Sequence, residues 1–525
     1  AVLQGTDFRV SVSGAGTLLA NGQGGADTAE IYDSPAVEIL IATDTFAALT
    51  GGSTAVRVDN FPAVIVHGSS GDTAKLYGSS RSGEHFEADS AQAAFVGSGF
   101  SNQVFGFGKV YAFANGGADT ALLHGSAAAD RFIGDSAMAT LSDSAGTYWL
   151  RASGFKEVTA QATPGGEDLA TLNDSGLDDL FEVYPTYGTL SDGSYVVRAE
   201  NFRYLIGSAS TGYDTAKLHG SSGNDAFIGA LSFGILALDA LTCRAGNFDW
   251  LEAEAVPGGT DIARLYDAST NDTLYAWAND VRLSGGGYTN RAVGFRNVQA
   301  WAVFGGRDEA HLYDSELDDM LTLAPTYALL TSGSGDSRVQ NRAGGFEFVQ
   351  GHRTSGKGQD SAILDGSAQD DFLEGYGSYV TLGGLGFSLR VDDFPEVSAN
   401  AKGGMDTATL RGTTGVDKVL GSPAFTRLTG TGFQHTVSDF KRVYVSCGSG
   451  GADRATLYDS SAADRLDAEG TWLKLSYADR FIYLSDLNAL AEVWAVSTQG
   501  GADTKREAAH DYVLRTIGIW TPVGP

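Results

Sequence analysis

Gly116-Gly-Ala-Asp119-Thr-Ala-Leu-Leu-His124-Gly-Ser-Ala-Ala-Ala-Asp130 is the stretch that decides the fold. A Gly-Gly turn leads into Asp119, and a run of period two follows. Ala121 and Leu123 point one way; Thr120, Leu122 and His124 point the other, as on a half-buried β-strand. Turn residues then intervene before a second aspartate, eleven positions after the first. The same register runs along the chain. The anchoring aspartate recurs at Asp27, Asp72, Asp119, Asp168, Asp214, Asp261, Asp308, Asp360, Asp406, Asp453 and Asp503, at intervals of 45 to 52 residues. The second aspartate follows in eight consecutive repeats, at Asp130, Asp179, Asp225, Asp272, Asp319, Asp371, Asp417 and Asp464.

A third landmark closes each unit. Arg-x-x-x-Phe appears as Arg57/Phe61, Arg151/Phe155, Arg198/Phe202, Arg244/Phe248, Arg291/Phe295, Arg342/Phe346 and Arg390/Phe394. Strands are short and bounded by Gly, Asp, Ser and Asn. A unit of about 47 residues made of such strands cannot bury its own apolar face, whereas stacked copies cover one another. The expected fold is therefore all-β: a parallel β-helix or β-solenoid of about eleven repeats, with two coils of roughly 23 residues in each. Coils about 4.8 Å apart would make a rod on the order of 100 Å long. The rival is a β-propeller, whose blades have similar length, but eleven blades exceed the usual four to eight. The solenoid is expected over residues 1–502. Residues 503–525 are expected to form a C-terminal cap or tail, helical or irregular over Thr504 to Leu514.

Composition narrows the function. Of 525 residues 70 are Gly, about twice the usual share, and 10 are Pro, which excludes collagen-like and Pro-rich disordered chains. The net charge of −29 repels nucleic acid and anionic membranes. No apolar run is long enough for a membrane-spanning helix, so no membrane insertion is expected. Ala1 opens directly on polar, strand-like sequence, so any signal peptide is expected to have been removed. Cys243 and Cys447 lie too far apart in sequence for a disulfide framework or a zinc motif. Cys447 alternates with Val443 and Val445, the pattern of a buried thiol.

Ser221-Ser-Gly-Asn-Asp225-Ala-Phe-Ile-Gly229 and Asp214-Thr-Ala resemble fragments of the hemolysin-type calcium repeat of secreted bacterial proteins. The chain as a whole resembles large secreted bacterial Gly/Asp-rich β-solenoid surface proteins. That likeness implies calcium as a cofactor, with Asp225, Asp272, Asp319 and Asp371 as candidate ligands. The tandem nonapeptides of the calcium family are missing, and calcium wants six to eight oxygens. The competing reading makes each aspartate a turn residue that caps backbone N–H groups.

Two further series stand out. The arginines, stacked once per repeat, need partners: nearby carboxylates or an acidic glycan. Five residues after each anchor comes an outward position holding Tyr32, Tyr77, His124, Asn173, His219, Tyr266, Tyr313, Asp365, Arg411 and Tyr458. Its tyrosines, Tyr32, Tyr77, Tyr266, Tyr313 and Tyr458, form a candidate ligand-binding line for sugars or protein. The alternative is that they simply cover the sheet. No Ser/His/Asp arrangement, HExxH or P-loop is present, so no catalytic residue is assigned and no enzyme is expected. The expectation is an extracellular, cell-surface structural or adhesive protein. It would associate with itself as a filament, sheath or surface layer, or bind polysaccharide. The alternatives are a carbohydrate-binding module and a polysaccharide-degrading β-helix enzyme.

Overall fold

The computed structural model describes residues 2–4, 9–11, 16–23, 25–448 and 450–524. The strand-like N-terminal stretch around Gln4 to Val10 therefore falls partly outside the described residues, at positions 5–8. The described residues are all-β, with one short 3-10 turn at Gly335–Ser337. It is a β-solenoid, as the repeat spacing requires. Its coils, however, are arranged differently from two equal turns per repeat.

The repeat anchored by Asp119 shows the path. Thr120–His124 lies in one sheet, called sheet I. The chain crosses to sheet II and forms an antiparallel triplet of Asp130–Gly134, Met138–Asp143 and Trp149–Ser153. It then returns to sheet I as Glu157–Gln161, parallel to Thr120–His124. The next repeat uses the same string with the sheets exchanged. Leu169–Asn173 pairs in sheet II with Asp130–Gly134, the triplet of residues 180–200 is in sheet I, and Tyr204–Ser208 is back in sheet II. Each repeat thus crosses between sheets three times, which is one and a half circuits. Where both strands lie at or beyond Thr17, every described pairing outside a triplet is parallel.

The reason for the triplet is written at its corner. Asn60, Asn201, Asn247, Asp393 and Asp439 have φ between 59° and 66°, and Gly106, Gly154, Gly294 and Gly345 fill the same place with φ from 76° to 85°. Only Gly, Asn and Asp enter this left-handed region cheaply. The next residue is the repeated Phe, which turns inward and is buried at Phe61, Phe107, Phe155, Phe202, Phe248, Phe295, Phe346, Phe394 and Phe440. Phe155 packs on Phe86 at 6.1 Å, Phe202 on Phe132 at 6.0 Å and Phe248 on Phe181 at 5.7 Å between ring centroids. Each such ring contributes about 1.5–3 kcal/mol of burial. The rest of the interior is mostly small, with Ala121 and Leu123, or Ala170 and Leu172, on successive inward positions. At Gly207 a Cβ would meet the Phe181 ring at 2.6 Å, so the glycine makes room for the ring.

The molecule divides into two compact units, Ala1–Asp261 and Ile262–Pro525. In the N-terminal unit, triplets at 85–105 and 180–200 belong to sheet I; those at 39–59, 130–153 and 226–246 belong to sheet II. Val2–Gln4 pairs antiparallel with both Arg9–Ser11 and Thr28–Tyr32. In the C-terminal unit the triplets are likewise divided between two sheets. One holds the triplets at 273–293, 372–392 and 465–485, the other those at 319–344 and 418–438. The segment from Thr504 is not helical. Thr504–His510 and Val513–Gly518 are strands that pair in parallel with Arg465–Gly470 and Glu492–Ser497, because their register still offers a free edge to each. Without a triplet to follow, these last strands are half exposed.

Candidate functional site

The paired aspartates come together across neighbouring repeats. The backbone N–H of Asp225 donates to Asp261 Oδ1 at 2.9 Å, that of Asp272 to Asp308 at 2.8 Å, that of Asp319 to Asp360 at 3.0 Å and that of Asp371 to Asp406 at 2.8 Å. Each second aspartate in turn caps the turn before it. Asp225 accepts from the N–H and hydroxyl of Ser221 at 2.6 and 2.8 Å; Asp371 accepts from those of Ser367 at 2.6 and 2.9 Å. Asp319 takes Ser315 N–H at 2.8 Å and the Ser332 hydroxyl. Asp272 takes Ala268 N–H at 3.1 Å and the Tyr288 hydroxyl at 2.7 Å. Tyr148 and Tyr195 donate in the same way to Asp130 and Asp179. This is a ladder of carboxylate caps, each bond to a charged group supplying about 1.5–3 kcal/mol.

Three carboxylates converge in two places. They are Asp174, Asp179 and Asp214, and Asp267, Asp272 and Asp308, with ligand atoms within 4.8 Å of one another. Of the four sequence candidates only Asp272 joins such a group. These oxygens already have donors: Asp267 accepts from Val303 and Phe304 N–H, and Asp174 from Ser210. Burial pushes Asp214 and Asp308 up to about 6. Three carboxylates could hold a cation, but capping alone accounts for the bonds they make.

The arginine series finds its partners within the triplets. The middle strand carries an outward ring at Phe46, Tyr187, Phe233, Tyr327, Tyr379, Phe425 and Trp472. Arg57 lies over Phe46 at 4.2 Å, Arg198 over Tyr187 at 3.7 Å, Arg244 over Phe233 at 5.5 Å, Arg342 over Tyr327 at 5.0 Å and Arg390 over Tyr379 at 4.5 Å. Where Asp280 replaces the ring, Arg291 bonds to it at 2.7 Å. Arg151, with Met138 in place of the ring, donates to the Ser153 hydroxyl at 3.0 Å, so each arginine of the series has a partner within its own triplet.

The tyrosine stripe is outward facing, but it does not form one line. Because successive repeats exchange sheets, Tyr32 lies on sheet I and Tyr77 on sheet II. In the C-terminal unit, Tyr313 lies on the opposite sheet from Tyr266 and Tyr458. The rings stack across strands. Tyr32 meets His67 at 4.6 Å and 10°, Tyr77 meets Phe113 at 4.8 Å and 13°, and Tyr313 lies between Trp277 at 4.7 Å and His352 at 4.8 Å. Tyr266 stands in register with Trp301 and Tyr458 with Val496. Rings stacked at strand spacing cover each other's faces and turn their edges to water. Only the last ring of a stack offers a face.

One such end opens on a break in the pattern that the sequence stripe does not reveal. In the triplet 85–105 the place of the ring is taken by Gln92 and that of the arginine by Gln103, with Ala94 between them. Among the described triplets this is the one with neither an outward ring on its middle strand nor an arginine on that strand or the next. A hollow of about 260 Å³ results, bordered by Glu87, Gln92, Ala94, Gln103, Phe105 and His124. Glu87 Oε1 and His124 Nε2 are 2.9 Å apart on its far wall.

No nucleophile is exposed by the cysteines: Cys243 and Cys447 are both buried and free, and burial drives their thiol pKa values up, Cys447 to about 12. His435 faces inward, and burial pulls it down to about 4. Among the described residues no helix is long and apolar enough to cross a membrane. Fold and capping ladder together define a two-sheet β-solenoid repeat protein. Comparison with known families, curated proteins and solved structures finds no match.

Proposed function

We propose that this chain is a non-enzymatic extracellular structural protein that assembles side by side. The observation that carries this reading is the segregation of charge on the N-terminal unit. Among the described side chains, the solvent side of sheet I carries seven carboxylates (Glu30, Glu87, Glu157, Glu182, Glu200, Glu252 and Glu254) and two cations, Arg198 and Lys217. The solvent side of sheet II carries six cations (Arg57, Lys75, Lys109, Arg131, Arg151 and Arg244) against one carboxylate, Asp59. A chain of net charge −29 thus keeps one basic face, back to back with an acidic one. Sheet II of one copy complements sheet I of the next. A contact between unlike faces does not close on itself and extends into ribbons or layers.

The outward side chains fit this role, since along the described strands they form rows on the two sheet faces. The acidic surface and buried thiols suit life outside the cell. Light scattering and negative-stain microscopy across a salt series test the reading. Ribbons or layers at low ionic strength that dissolve near 1 M salt, where the screening length is about 3 Å, are expected. Lys109→Glu with Arg131→Glu should abolish them without changing the fold. Isolated particles at every salt concentration would overturn the proposal.

A further inference from the structure

We propose that the hollow in the triplet 85–105 binds a single uncharged pyranose residue. In the other described triplets this place is covered, by an outward ring with an arginine or lysine, by Met138 beside Arg151, or by Asp280 bound to Arg291; here Gln92, Ala94 and Gln103 leave it open. Among the described triplets this is the one that departs from the pattern at both the ring and the arginine, and such departures mark functional positions.

The walls match the two sides of a sugar ring. Phe105 ends the stack Tyr32–His67–Phe105, with centroids 4.6 and 5.4 Å apart. Its next neighbour in register is Gln92 rather than a ring, so its second face is turned to the hollow. An aromatic face takes the C–H face of a pyranose. Glu87, held at 2.9 Å by His124, borders the hollow two strands away, while Gln92 adjoins Phe105 in register and Gln103 lies two residues before it on the same strand. Carboxylates and amides on a rigid sheet suit the alternating donors and acceptors of neighbouring hydroxyls.

Charge and size refine the ligand. No Lys or Arg borders the hollow, and Glu87 and Asp89 do, so an acidic sugar is repelled. At about 260 Å³ the space is below that of ordinary drug-sized pockets and suits one ring. Few contacts and an open mouth predict weak binding, in the millimolar range.

The test uses saturation-transfer NMR on the full chain with neutral methyl pyranosides (glucoside, galactoside and mannoside), methyl glucuronide, and tetramethylammonium as a cationic probe. Transfer to at least one neutral glycoside, little to the glucuronide, is expected. Gln103→Arg restores the side chain common at its place in the repeat and Ala94→Arg introduces the one found at Arg282 and Arg427, and each should weaken binding about tenfold or more with an unchanged melting curve. Phe105→Leu should weaken it while keeping an apolar wall. No transfer from any neutral glycoside, equal binding in Ala94→Arg, or preference for the cationic probe would each overturn the assignment. Binding is read on unassembled chains at high salt, so its outcome is separate from that of side-by-side assembly.

Discussion

At the scale of single residues, the aspartates decide most. Asp371 receives two bonds from Ser367 and lends its own N–H to Asp406. Asp371→Ala leaves two turn donors without a carboxylate and should cost about 1–3 kcal/mol in chemical unfolding. Calcium provides a separate check. A melting temperature that is equal in calcium and in chelator is expected for pure capping, and a fall in chelator would assign a cation to one of the two carboxylate clusters, where Asp272 is the one sequence candidate. The same burial gives a pH dependence of known sign. Asp214 and Asp308 are pushed up to about 6, well above the unfolded value near 4. The folded state holds these protons more tightly, so their contribution is fully present below about pH 4 and is lost as pH rises through 6. The melting temperature should rise from pH 7 to pH 5, and less so in the Asp214→Asn, Asp308→Asn variant. The spacing of the aspartates was plain in the sequence. Their role was not, because a cap and a ligand use the same residue, and only the position of Ser221 or Ser367 four places earlier separates them.

Strands and corners form the next scale. The corner before each inward Phe needs a left-handed residue. Asn201, at φ 61°, should tolerate Gly but lose about 1 kcal/mol on substitution by Ala, measured by denaturant titration. The pair of Arg198 and Tyr187, 3.7 Å apart, should show a coupling of about 0.5–1 kcal/mol in a double-mutant cycle. Strand existence was legible from alternation, as in Thr120 to His124, and so was the recurrence of Arg-x-x-x-Phe. Sheet membership was not. Every strand reads with period two, whichever sheet it joins, so the stripe from Tyr32 to Tyr458 looked like one line when it is divided between opposite faces. The hollow beside Phe105 was hidden for a related reason. Gln92 and Gln103 are unremarkable in sequence, and their meaning lies in cross-strand register with Phe105 and Ala94.

For the whole molecule, regularity is the main property. Intervals of 45 to 52 residues predict a repeat architecture, and the solenoid follows from them. The half-turn exchange could not be read from the intervals, because one and a half circuits and two circuits fit a similar number of residues. Units that touch mainly their neighbours should unfold with local character. Hydrogen exchange is therefore expected to show faster opening of the half-exposed strands from Thr504 to Gly518 than of the strands around Phe132 and Phe181.

The exchange of sheets between consecutive repeats also imposes an odd-even rule on the length of the protein. Adding or losing one repeat inside the N-terminal unit would turn everything after it in that unit inside out with respect to the two faces, moving Arg244 to the acidic side and Glu252 to the basic one. A change of two repeats would leave both faces intact. Growth or shortening of such a chain by duplication can keep its surface pattern only when it proceeds in pairs.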